Sequence, residues 1–153
     1  MKHIIKIVLA VVIILFIAIQ FIPSDQNKSE KVSVNDLTEV YQVPRNVQAI
    51  FKNSCYDCHS NNTDYPWYAR VQPIRTIMDG HVRQGKVDLN FNEFGTYSER
   101  KKRHKLEAIG NSITENTMPI QSYLFIHLRA ALTPSDKTLI LNWVKKINGA
   151  GNE

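Results

Sequence analysis

The sequence predicts an all-α fold, and three observations carry that prediction. Apolar residues recur at helical spacing in VPRNVQAIFKNSC and in TPSDKTLILNWV. No segment shows sustained two-residue alternation between hairpin turn residues, as a half-buried strand would. The chain also begins with a long apolar run whose length suits a membrane-crossing helix.

That run stands outside the folded domain. From Ile4 to Ile22 it reads IIKIVLAVVIILFIAIQFI, without charge from Ile7 onward. About 19 residues at about 1.5 Å each cover roughly 28 Å, close to the hydrocarbon thickness of a bilayer. Residues 1–22 are therefore expected to form a transmembrane anchor. The rival is a cleavable signal, which has a shorter apolar region and an A-x-A-like end; this run closes in IPSDQ. Lys2 and Lys6 precede its uncharged part, and mixed charges (Asp25, Lys28, Glu30, Lys31) follow. That asymmetry favours a cytoplasmic amino end and places the rest on the periplasmic side of a bacterial cytoplasmic membrane. Residues 23–42, PSDQNKSEKVSVNDLTEVYQ, read as a polar linker with a turn of helix near Asp36–Tyr41. Residues 43–148 form the domain and 149–153 a tail.

Within the domain, Pro44 suits a first helical turn, and Val47, Ile50, Phe51 and Cys55 then share a face. Leu106, Ile109 and Ile113 suggest a further helix, and Leu124, Leu128, Ala131 and Leu132 another. For the last helix, Thr133 can cap, Pro134 takes the first turn and Asp136 favours the amino end. Its stripe is Leu139, Ile140, Trp143, Val144 and Ile147, with Gly149 as terminator, and Trp143 reads as core. The net charge is +5, and without Lys2 and Lys6 there are 17 basic against 14 acidic residues. That balance, with no basic patch interleaved with aromatics, excludes nucleic acid as an expected partner.

The chemistry lies in CYDCH, residues 55–59. The chain's two cysteines stand three apart with histidine directly after, a pattern that chance produces about once in two thousand arrangements of this composition. It is the pattern of c-type haem attachment. Cys55 and Cys58 would each form a thioether to a haem vinyl group, and His59 would be the proximal iron ligand. Its second ring nitrogen needs an acceptor, expected from a carbonyl near Pro66 or Pro73. Three other uses of the pair are weighed. A redox dithiol normally starts a helix after a strand, whereas an amphipathic helix precedes this one. Zinc needs two more ligands, for which His81 or His104 could be recruited. A short structural disulfide suits an oxidising compartment.

Five side chains are candidates for the sixth iron position: Met78, Met118, His81, His104 and His127. Met118, in ENTMPIQSY, stands between a polar turn and a proline, so a loop places it. Met78 reads as helix filler, His104 in RKKRHK as solvent-exposed, and His127 as a satisfied interior histidine. His81, before a Gly-containing turn, is the main competitor.

From about Val43 to Lys146 the chain resembles the haem-binding domain of the class I cytochrome c superfamily, and in particular a bacterial family of single-haem, membrane-tethered domains. The resemblance rests on VPRNVQAIFKNSCYDCHSN, VQPI, HVRQGKVDLNFNEF, TMPIQSYLFIHLRAALTPSD and LILNWV. It implies helices wrapped around one covalent haem c, with first and last helices crossing. Cys55 and Cys58 would carry the thioethers, with His59 proximal and Met118 distal. The family often has Trp where this chain has Phe94, a departure that bears on packing.

Other features are weaker. Trp67 could wall the porphyrin edge, and Arg70 or Arg75 could pair with a propionate; an ordinary aromatic loop is the duller account. Arg100–Lys105 could meet an acidic redox partner or anionic lipid, or be a solvated helix start. Met/His ligation fills both axial positions and raises the reduction potential. The expected function is outer-sphere electron transfer with redox partner proteins, without enzymatic activity. A haem-based sensor with a labile sixth ligand is the alternative.

Overall fold

The structure is a computed structural model that describes residues 1–24, 26–29 and 33–150. Asp25, Glu30, Lys31 and residues 32 and 151–153 of the expected linker and tail lie outside the described residues. Eight α-helices are present among those described: α1 (Lys2–Ile19), α2 (Leu37–Val40), α3 (Arg45–Ser54), α4 (Tyr56–His59), α5 (Ile74–Asp88), α6 (Glu99–Thr114), α7 (Gln121–Leu124) and α8 (Pro134–Ala150). Short 3-10 turns lie at Trp67–Arg70, Phe91–Thr96 and Leu128–Ala130. Extended pairing among the described residues is an isolated bridge between Lys28 and Asn62. The domain is all-helical, as expected.

Helix α1 buries none of its 18 residues in the protein and is long and apolar enough to cross a membrane. The core lies between α3, α6 and α8. Val47 and Phe51 from α3, Leu106 and Ile113 from α6, and Ile140, Trp143 and Val144 from α8 are all buried. Phe51 meets Trp143 edge-on at 5.6 Å, so the first and last domain helices touch through aromatic rings. Phe94, with no exposed surface, packs edge-on to Tyr41 at 5.9 Å and beside Tyr97 at 5.6 Å.

The start of α8 follows from its residues. Thr133 N–H donates to Asp136 Oδ2 at 2.9 Å, and Asp136 N–H donates to Thr133 Oγ1 at 3.1 Å, a reciprocal cap that satisfies two end donors. The helix runs one residue beyond Gly149. Pro44 sits at the cap of α3 rather than inside it, its carbonyl accepting from Gln48 N–H at 2.9 Å.

Three expectations are corrected. The segment expected as a polar linker is built into the domain. Asn27 donates through Nδ2 to the Ser60 carbonyl and Thr63 Oγ1 at 2.8 and 2.9 Å, and accepts from Lys86 Nζ at 2.7 Å. Ser33 donates to the Asn92 carbonyl, and Leu37 is fully buried in the core. The buried Asp36 accepts from Asn92 Nδ2 at 2.7 Å and from the Tyr56 hydroxyl at 3.0 Å. Its polar residues are thus spent on the domain's own carbonyls and amides rather than on water. Second, 74–88 is a continuous helix through Gly80 and Gly85, so His81 lies mid-helix and not before a turn. Third, 124–132 is not one helix: His127 leaves helical geometry at φ −111°, ψ 63°, and Phe125 and Leu128 point to solvent, 86% and 78% exposed.

Leu37→Ala tests the first correction. Removing a fully buried leucine should cost about 2–5 kcal/mol, read by urea unfolding of the purified chain; a change within error would mean that this segment does not belong to the fold.

Candidate functional site

Helix α3 stops at Ser54 because Cys55 leaves helical geometry (φ −129°, ψ −38°), and α4 restarts at once as a single turn. Cys58 N–H and His59 N–H both donate to the Cys55 carbonyl, at 3.2 and 3.0 Å. Both thiols and His59 therefore leave one helical turn. Burial pushes the Cys55 thiol up to about 12, and Cys58 adds to the shift. Burial, followed by the Asp57 charge, raises Cys58 to about 11. Both sulfurs favour a neutral state. The Tyr56 hydroxyl is also raised, by burial and then by Asp36; its ring stacks on Phe91 at 4.9 Å.

The last turn of α5 fixes the imidazole. His59 Nδ1 lies 2.9 Å from the Gly85 carbonyl oxygen and 3.0 Å from that of Leu89. Both partners are acceptors, so Nδ1 carries the proton and Nε2 keeps its lone pair for a metal. The acceptor comes from α5, not from a carbonyl near Pro66 or Pro73. Gly85 makes this approach possible: a Cβ there would stand 2.6 Å from the Cys58 carbonyl oxygen.

The opposite wall begins where α6 ends. Asn116 adopts φ 57°, Thr117 N–H donates to the Ser112 carbonyl at 3.0 Å, and Asn116 N–H donates to that of Ile113 at 3.3 Å. This is a Schellman end with asparagine in the left-handed position. It turns the chain back, and Met118 follows with a cis peptide to Pro119. The Met118 loop is tied across the cleft by Tyr123, whose hydroxyl donates to Asp57 Oδ2 at 2.7 Å. That bond and burial raise the Tyr123 hydroxyl, burial contributing more. Tyr123 stacks on His127 at 4.1 Å, and His127 Nε2 lies 2.8 Å from the Tyr68 hydroxyl.

Between these walls lies a cleft of two adjoining lobes of about 220 and 270 Å³. Cys55, His59, Met118 and Pro119 line both. One lobe is walled by Phe51, Phe91, Ile109 and Ile113; the other adds Cys58, His81, Gly85 and Tyr123. Together they fall within the range of roughly 300–1,000 Å³ usual for small-molecule sites.

The structure thus brings Cys55, Cys58, His59 and Met118 to one cleft. It does not bring Trp67, Arg70 or Arg75 there. Trp67 is 79% exposed and Arg70 is exposed. Arg75 pairs with Asp79 at 3.5 Å and donates to Ser24. The basic side chain on the cleft wall is Lys105, which the sequence showed only as part of a charged run. Its neighbours in that run are solvated: Arg100, Lys101, Arg103 and His104 are exposed, with Lys101 over the Tyr97 ring at 3.9 Å. Of the rival sixth ligands, His81 lines a lobe, His104 is exposed, and both His127 ring nitrogens have partners. Among the described residues, no group of three or more His, Cys, Asp or Glu is placed to hold a metal ion.

A family model described as a haem-binding domain matches residues 14–146. The chain belongs to this haem-binding domain family. No curated protein and no solved structure matches it. The match reaches back into α1, so the haem-binding domain family includes the segment that first read as a linker. The cleft suits a haem: apolar walls, an imidazole with its tautomer fixed, and the Met118 thioether among the lining side chains.

Gly85→Ala should push α5 off α4, lowering stability by about 1–3 kcal/mol and reducing haem incorporation. Gly80→Ala, on the same helix with nothing within 4 Å of its Cβ, is the control and should leave both unchanged or improved. Equal behaviour of the two variants in thermal unfolding and haem content would refute the close-approach argument.

Proposed function

We propose that the chain is a membrane-anchored mono-haem c-type cytochrome that carries electrons on the periplasmic side of a bacterial cytoplasmic membrane. The observation that supports this reading is the convergence of Cys55, Cys58, His59 and Met118 on a single cleft. Cys55 and Cys58 would hold haem c by thioethers, with His59 Nε2 proximal and Met118 sulfur distal. Bound haem supplies one-electron chemistry at its iron.

The chain's own residues do the rest. Nδ1–H of His59, held by two carbonyls, fixes the ring and makes it a better donor. The environment that disfavours a thiolate at Cys55 and Cys58 suits sulfur that is neutral in a thioether and argues against a dithiol redox pair. His59 and Met118 would both hold the iron, leaving it one-electron exchange, so the role would be electron transfer rather than catalysis. Lys105 can pair with a propionate. Helix α1 supplies the anchor, and Lys2 and Lys6 in its first turns give the orientation. Electrons would be exchanged with redox partner proteins at the same membrane.

A second reading has one observation in its favour. Met118 is 40% exposed, so its sulfur could yield to a small ligand, making the domain a haem-based sensor. Carbon monoxide separates the two: an inert six-coordinate ferrous spectrum supports the carrier, and a rapid shift supports the sensor.

Matured in a bacterial host with haem-attachment machinery, the chain should gain the mass of one haem and stain for haem after denaturing electrophoresis. Cys55→Ala combined with Cys58→Ala should lose both signals; a stained band from that double variant would refute covalent attachment. Met118→Ala should open the sixth position and bind carbon monoxide, and an unchanged low-spin spectrum would assign the distal ligand elsewhere.

A further inference from the structure

Gln20 is the first residue after α1, and its side chain clasps the backbone of Gln72. Gln72 N–H donates to Gln20 Oε1 at 3.0 Å, and Gln20 Nε2 donates to the Gln72 carbonyl at 3.3 Å. A second attachment follows at Ser24. Arg75 donates to its hydroxyl and its carbonyl at 2.7 and 2.8 Å, and the hydroxyl donates to Asp79. The exit of α1 is therefore fastened at two points, to Gln72 just before α5 and to Arg75 and Asp79 on it, and does not hang on a free linker.

Height follows from this. A helix that spans a bilayer ends at its surface, and Gln72 lies one hydrogen bond from the residue at that end. The surrounding corner carries Trp67 (79% exposed), Ile74 (40%) and Ile77 (57%), with exposed Arg70 beside them. Phe21 and Ile22, on the chain leaving α1, are 82% and 53% exposed. An indole, aliphatic side chains and an arginine that can reach outward make up the composition of a lipid–water boundary. Left in water, the same residues form an apolar patch without a partner.

We infer that the corner from Trp67 to Ile77 is embedded in the phospholipid interface of the membrane that holds α1. This rests on the membrane-anchor reading above. Lipid is the occupant because the patch is covalently continuous with the anchor and clasped to its end. The docked corner also limits the reach of the haem site: Pro73 to Gly85 spans about 18 Å of helix, and Gly85 touches Cys58.

The test uses the full chain in phosphatidylcholine nanodiscs, with hydroxyl-radical footprinting read by mass spectrometry. Trp67 and Leu128 are matched at 79% and 78% exposure. After correction for intrinsic side-chain reactivity, Trp67 and Ile77 should be protected several-fold more than Leu128; equal protection overturns the inference. Alkaline carbonate extraction checks the anchor separately. A chain that washes out refutes the anchor reading and the corner with it, whereas a retained chain with unprotected Trp67 refutes the corner alone. Gln20→Ala should stay in the membrane while Trp67 protection falls toward that of Leu128. Unchanged protection in that variant would overturn the clasp as the device that sets the height.

Discussion

The arrangement depends on one proton. Nδ1 of His59 gives it to two carbonyls at the end of α5, those of Gly85 and the capping Leu89, and this contact decides which ring nitrogen faces the cleft. The Gly85 carbonyl accepts the proton beside its bond from Leu89 N–H at 2.8 Å, using its second lone pair, and the Leu89 carbonyl lies just past the helix end. The helix can come so close only because Gly85 has no side chain. A histidine in a short loop would otherwise turn about two bonds. Here its plane, tautomer and height are set by backbone, which is stiffer than any side-chain partner.

The other wall is held by a different principle. A left-handed Asn116, a cis Met118–Pro119 bond and the Tyr123–Asp57 hydrogen bond place Met118 on a loop rather than on a helix. One face of the cleft is thus rigid secondary structure and the other is loop closed by polar bonds. Under the proposed ligation, an arrangement of this kind would keep His59 fixed and let Met118 adapt. Both proposed roles use that asymmetry, and they differ in how firmly the polar bonds hold.

Most of the site was legible because it is local. Cys55, Cys58 and His59 fall within one helical turn, and Met118 is marked by the proline after it. The amphipathic α3 and α8 were legible too, their stripes matching the buried residues Phe51, Ile140 and Trp143. What the sequence hid is long-range. Helix α5 buries little beyond Val82 and Gly85, so it has no apolar stripe to read, and its two glycines look like breaks. The His59 acceptors come from 26 and 30 residues away, and carbonyls leave no trace in residue identity. Trp67, Arg70 and Arg75 follow CYDCH closely in sequence, yet the chain turns them away from the cleft. The segment after α1 looked like a tether because it is polar. Its polarity serves hydrogen bonds to the domain, which composition cannot distinguish from solvation.

Asn27 has a practical bearing on how this protein can be cut. Its side chain and backbone reach Ser60, Thr63, Tyr65 and Lys86, next door to the imidazole. A water-soluble version begun at Val43, where the obvious domain starts, would discard this plug and strip bonds from the loop behind His59. The natural scissor point falls between Ile22 and Gln26, so that membrane and domain part company while the plug stays in place.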